Sequence, residues 1–436
     1  MYHHGPWPRA LELLTRAADL ADTLHDARAR AAGLLAAGPL RQLTGDRAGG
    51  AEALTTALEL YRAAQDPLGE ANTLTELARV RMHAADYPAA LEACRTALAF
   101  YRALDCRLGQ ANALSVRGRV RQRLGEYPPA IEDVERSLAL YHEVGNVVGQ
   151  ARALSELGLL RALTGDDPGA VRAFTRCRLL CRDLGNPLEE VPALVSLAAL
   201  RRRAGDYPES LRVSSRAAEL AGALGNKIGE AGALAERGVV RDLTGDVKGS
   251  AADFEEAITL YRALGQRHGE AVVRVHRGAA RQRRGDHPGA LAELGPAIAA
   301  FRAAGEQGDE AWALNHLAAA LEAAGHTRES LRAYRRALAL HRALGRPAEE
   351  ATALEGIGAI RAARGALVVG SLCLCAAARR YHALGLRPAA DRVASRLAAL
   401  GAGEPAGAGG PFDPPGMAGS SAGPTQGGHV VASGPH

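Results

Sequence analysis

Lysine is nearly missing from this 436-residue chain: Lys227 and Lys248 stand alone within a Lys+Arg total of 53. A Schiff-base or phosphate-cradling lysine therefore has two candidates, and neither sits in a G-x-x-x-x-G-K-[ST] context. Aromatic residues make up only 4% of a chain that is 47% hydrophobic, a balance that disfavours sheets and favours packed helices. Six cysteines without an even framework of spacings do not describe a disulfide scaffold, which points to a reducing, cytoplasmic setting. No run reaches the roughly 18 to 20 apolar residues that a membrane helix needs. The nearest, Ala366 to Ala378, is too short, and the start Met1-Tyr2-His3-His4 is no signal peptide. There is no HExxH, no CxxC pair and no GxSxG, so no catalytic residue, metal or cofactor is expected. Cys177 and Cys181, at i and i+4, read as buried thiols, whereas Cys373 and Cys375 do not face each other on a helix. The excess of five positive charges is a weak signal for nucleic acid when spread over this length.

What the chain has instead is a repeat of period 40 without insertions. Taking Ala71 as position 1, the same phase recurs at Ala31, Ala111, Ala151, Val191, Ala231, Ala271, Ala311 and Ala351. Position 4 is leucine from Leu34 to Leu354 except at Arg274, position 8 is always Gly or Ala, and Gly-Asp turns recur at Gly165-Asp166, Gly205-Asp206, Gly245-Asp246 and Gly285-Asp286. On a helical wheel positions 1, 3, 4, 7, 8, 10 and 11 share one half, mostly apolar or small. Positions 2, 5, 6, 9, 12 and 13 fall opposite, and this is helix A. The Gly-Asp turn ends it, the Asp caps helix B, and a following Pro, as in Asp206-Tyr207-Pro208, opens helix B. In one unit helix B buries Ala90, Leu91, Cys94, Ala97, Leu98 and Tyr101.

Small residues at positions 8 and 20, a bulky one at 24 and Ala at 27, as in Gly238, Ser250, Phe254 and Ala257, resemble the tetratricopeptide repeat in a 40-residue form. The resemblance covers about 360 of the 436 residues. It departs in having Leu for the family's Trp at position 4, Arg for its Tyr at position 11, and no Pro after helix B. It implies an all-α, right-handed α-solenoid of tandem helix-turn-helix units whose helix A face lines a concave groove. The Gly-Asp-Tyr-Pro turns and Ala-Leu-Gly stops are similar to those in the sensor regions of actinobacterial regulators.

The expected organisation is an N-terminal half-repeat over 1–30 with helix B only, nine repeats over 31–385, a capping helix over 386–400 and a disordered Gly/Pro/Ala tail over 401–436. Opening in mid-repeat predicts a chain cut from something longer. Arginine at position 11 (Arg41, Arg81, Arg121, Arg161, Arg201, Arg241, Arg281, Arg361) lies on the buried half of the wheel. It is expected to cross to a turn Asp or to helix B acids. The opposite face changes from unit to unit, as a binding surface would. Its ligand candidates are Asn72, Arg79, Asn112, Arg119, Arg123, Arg152, Arg203 and Arg283, with His276, Trp312, Asn315 and His316 around the irregular unit that begins at Ala271. Asn amides can hold a peptide backbone while Arg forks hold carboxylates. The function these residues imply is a cytoplasmic protein-interaction scaffold, not an enzyme, taking an extended peptide or partner helix of acidic character. The alternative is a nucleic-acid-binding solenoid, against which the scarcity of stacking aromatics counts.

Overall fold

The structure, a computed structural model, describes residues 7–44, 46–84 and 86–401. Apart from Gly401, the tail expected over 401–436 lies outside the described residues, as do residues 1–6. Twenty helices follow one another: α1 Trp7–Thr23, α2 Ala27–Leu43, α3 Arg47–Ala63, α4 Pro67–His83, α5 Tyr87–Ala103, α6 Arg107–Leu124, α7 Tyr127–Glu143, α8 Val147–Thr164, α9 Asp167–Asp183 and α10 Pro187–Arg203. The second half continues with α11 Tyr207–Ala223, α12 Lys227–Leu243, α13 Val247–Ala263, α14 Arg267–Arg283, α15 His287–Ala303, α16 Gln307–Ala323, α17 Thr327–Ala343, α18 Pro347–Ala363, α19 Leu367–Ala383 and α20 Arg387–Ala399. Even-numbered helices up to α18 are helix A of successive repeats, and odd-numbered ones are helix B. The fold is an all-α helical repeat solenoid.

Each corner is written into the sequence. A residue with positive φ falls at every twentieth place from Gly125 (φ 78°) to Gly385 (φ 68°), where glycine avoids the Cβ clash of the left-handed region. The next residue stands at the cap position just before the following helix, where Asp166, Asn226 and Asp246 each accept a hydrogen bond from the backbone N–H three residues on. Helix A begins about four residues before position 1, because the capped turn sits further back than the apolar pattern shows.

Glycines also set how closely repeats approach. The Tyr101 ring of α5 lies flat on Gly109 of α6, so that a Cβ on Gly109 would fall inside it. The pairs Tyr61/Gly69, Tyr141/Gly149 and Tyr261/Gly269 repeat the arrangement. Gly109→Val should therefore overpack this joint and cost about 2–3 kcal/mol. Thermal unfolding followed by helical circular dichroism would show it, and an unchanged midpoint would refute the close contact.

The inter-helix layer holds a charged device. In three repeats position 7 is arginine and reaches a buried acid at position 23 on helix B: Arg117 to Asp133 at 2.5 Å, Arg237 to Asp253 at 2.6 Å and Arg277 to Glu293 at 2.7 Å. Arg121 and Arg241, at position 11, join the same carboxylates at 2.8 and 2.9 Å. Elsewhere Arg161 pairs with Glu135 at 2.8 Å and Arg41 with Asp46 at 3.8 Å, so these arginines hold the layer together. The unit from Ala271 breaks the local pattern for the same reason. Arg274 and Arg277 replace apolar residues to surround Glu293, with Glu270 taking the other side of Arg274 at 2.9 Å.

Candidate peptide-binding groove

Every even-numbered helix packs on the next even-numbered one, from α2 on α4 to α16 on α18, while the odd-numbered helices make no such layer among the described residues. Crowding on one side and splay on the other bends the stack, so helices A line its concave face.

Four of the expected residues meet there. Arg79 (α4), Arg119 (α6), Arg123 (α6) and Arg152 (α8) gather around Arg119, and burial together with the neighbouring arginine charges pushes its guanidinium down, against the opposing pull of Glu156. The acids at hand are Glu76, 3.2 Å from Arg79, Glu156, 3.8 Å from Arg119, and Asp309 of α16, which the charge of Arg123 reaches. Burial pushes the Glu156 carboxyl up in spite of the arginines and of a 3.1 Å bond from the Ser115 hydroxyl. Arg123 and Arg152 have no carboxylate within ion-pair distance among the described residues, so the patch carries a surplus of positive charge. Asn72 and Asn112 border it one repeat apart. Each amide oxygen accepts from a tyrosine hydroxyl, Tyr101 and Tyr141 respectively, at 2.7 Å, which fixes the side chain and leaves the amide N–H groups as the available donors.

Further along, His276, Trp312 and His316 form an edge-to-face row with ring centroids 5.0 and 5.3 Å apart. Both imidazoles sit deep in the superhelix yet keep solvent contact. Burial and the charges of Arg202 and Arg283 hold His276 well below its usual range and His316 at about 4. Both are therefore neutral at pH 7, making this end of the groove aromatic where the other is cationic.

Three expected groove residues are spent on structure. Arg203 reaches back to Asp167 at 3.1 Å and to the Ala162 carbonyl at 3.2 Å. Arg283 is paired with Asp242 at 2.6 Å. Asn315 corrects the wheel: it is 4% exposed and donates to the Glu349 carbonyl at 3.1 Å. Position 5 turns toward the next repeat, and Thr75, Ser115, Val275 and Glu355 are buried there too. The sequence reading passed over Glu156 and also Glu236, which holds Arg202 at 2.6 Å; both lie at position 6, where an acid recurs at every second repeat as Glu76, Glu156 and Glu236.

Among the described residues one trio could offer ligands to a metal: His268, Glu306 and Asp309, with donor atoms within 4.8 Å of one another. His268 Nδ1 is already 2.5 Å from Glu306, and the charges of Arg346 and Arg123 reach Asp309, in competition with a cation. No helix among the described residues is long and apolar enough to cross a membrane.

Residues 69–143 and 269–343 match the family model of the Tetratricopeptide repeat. Both stretches are tetratricopeptide repeats. No curated protein matches its sequence. Among solved structures, the chain is similar to a Rap protein complexed with Competence and Sporulation Factor, at TM-score 0.59 and 12% identity over 78% of this chain and 96% of that one. It is also similar to the Rap conjugation gene regulator of the plasmid pLS20 in complex with the Phr* peptide, at TM-score 0.54 and 11% identity over 78% and 98% of the two chains. The apo quorum sensor NprR from B. thuringiensis matches at TM-score 0.53 and 12% identity over 76% and 98%. At these identities the likeness is one of fold.

Proposed function

We propose that this protein is a binding scaffold, not a catalyst, and that its concave face receives an acidic polypeptide segment as the sensing part of a regulator. The observation that carries the reading is the surplus of cations at Arg79, Arg119, Arg123 and Arg152, recessed on three consecutive A helices with Glu76, Glu156 and Asp309 as the nearby acids. Guanidinium groups held close against their mutual repulsion favour an anionic ligand, and carboxylates take bidentate bonds from them. Asn72 and Asn112, pinned by their tyrosines one repeat apart, suit a backbone running along the groove. Two of the folds it shares were solved with a bound factor or peptide, the Rap protein and the pLS20 regulator, which supports a peptide in the groove here.

Affinity capture from native lysate tests this, with and without nuclease, comparing wild type with an Arg119→Glu, Arg123→Glu, Arg152→Glu variant. A nuclease-resistant protein partner should bind wild type and be weakened more than about a hundredfold by the variant, since each lost charge-assisted bond costs about 1.5–3 kcal/mol. A partner retained in full would move the site off this patch. Capture that nuclease abolishes, with affinity collapsing steeply in salt, would replace the scaffold reading with nucleic-acid binding.

A further inference from the structure

The solenoid winds far enough to touch itself. The Tyr127 hydroxyl, at the corner between α6 and α7, accepts a bond of 3.1 Å from Arg346 Nε, 219 residues away at the corner between α17 and α18. The same offset brings Gly125 against Leu344 and Gly165 against Leu384, and Gly205 meets Pro388 of α20. Leu344 packs on the cluster formed by Tyr127, Ala130 and Val134. One turn of the superhelix is thus about five and a half repeats. The corresponding corner glycines Gly245, Gly285, Gly325 and Gly365 have open space around them, because no later turn comes round to cover them.

We propose that this seam closes the groove into a lumen that takes a single extended polypeptide by its free end. The proposal rests on the groove reading above and narrows it. Neighbouring A helices pack at about 10 Å, so five and a half of them span roughly 55 Å per turn; part of that is rise along the superhelix, which sets the radius at the helix axes to at most about 9 Å. Side chains reach about 5 Å inward from an axis, which leaves a lumen no more than about 8 Å across. An extended strand fits, whereas an α-helix of about 10–12 Å or a loop entering sideways does not. The lining agrees with so narrow a bore: the charge of Arg202 on α10 reaches His276 on α14 and His316 on α16, two and three repeats on.

The seam can be locked. A Cβ on Gly125 would lie 3.9 Å from the Leu344 Cβ, within the separation that a disulfide spans. Gly125→Cys with Leu344→Cys, in a background where Cys106, Cys373 and Cys375 are serine, should cross-link under mild oxidation. Gly245→Cys with Leu344→Cys should not. The probe is a linear ten-residue peptide of alternating glutamate and alanine, labelled at one end, together with its head-to-tail cyclised counterpart. The linear form should bind locked and reduced protein within about twofold, and the cyclic form should fail to bind the locked protein. No cross-link above the control would overturn the seam. A tenfold or greater loss of linear binding on locking would mean entry through the seam, and equal binding of the cyclic probe would mean an open groove; either overturns entry by a free end. If the linear probe binds neither form, the groove reading falls and free-end entry with it, while the cross-link still decides the seam.

Discussion

Replacing Asp133 with alanine should lower stability by about 3–5 kcal/mol, the usual cost of removing one partner from a buried ion pair, and a further Arg117→Leu should restore most of it. Asp133 is 3% exposed and takes bonds from Arg117 Nε at 2.8 Å, Arg117 Nη2 at 2.5 Å and Arg121 at 2.8 Å. Without it the Arg117 guanidinium stays between two helices with no carboxylate to face. The remedy is already present in the same chain. Where position 7 is apolar, position 23 is small or apolar: Ala37 with Ala53, Leu77 with Ala93, Leu157 with Ala173, Leu197 with Val213, Leu317 with Ala333, Ile357 with Cys373. The double variant converts one repeat from the charged to the apolar pairing, and Arg121 keeps the Pro129 carbonyl at 3.2 Å, as Arg81 keeps that of Ala89. Urea unfolding of both variants decides it. If the double variant is as weak as the single one, Asp133 does more than neutralise Arg117.

That pairing was legible in the sequence, since nine aligned repeats carry the covariation between positions 7 and 23, yet a reading of one helical wheel at a time passes over it. The period, the two helices, the glycine corners and the crossing arginines at position 11 were legible for a related reason: each depends on residues within about one repeat. Position 5 was misjudged because a wheel supposes one neighbour, whereas helix A packs against its own helix B and against the next repeat, which buries Asn315. The arginines of the concave face stand out in the sequence by their variation between units, but their division into free and committed groups does not. Arg203 and Asp167 are held by a contact reaching across a repeat boundary, which no local pattern reports. The contact between Tyr127 and Arg346 is further removed still, because its 219-residue offset accumulates from small rotations at every joint.

Acidification from pH 6.5 toward 4 should destabilise the protein in part through one side chain, and His341→Phe should remove that share. His341 is fully buried, and its Nε2 lies 3.2 Å from the Asn315 amide nitrogen, so that nitrogen accepts and the ring is neutral. Burial first, then the charge of Arg346, pushes it down to about 4, against a bond to the Ala311 backbone that pulls the other way. In the unfolded chain it titrates near 6.5. The unfolded state therefore takes up the proton first, so the contribution is complete above about pH 6.5 and is lost as pH falls through 4. The gap corresponds to about 3 kcal/mol. His316 and His276 act in the same direction, whereas Glu156, Asp167 and Asp309, whose carboxyls burial pushes up, act in the opposite one. The total pH profile thus mixes signs, and the difference between wild type and His341→Phe isolates the one imidazole. Phenylalanine suits the site because Phe301 fills the equivalent place one repeat earlier at 1% exposure, and Asn315 retains its bond to Glu349. Urea unfolding at pH 7 and pH 4.5 should show a smaller loss in the variant. Equal losses would mean that His341 already carries its proton in the folded state.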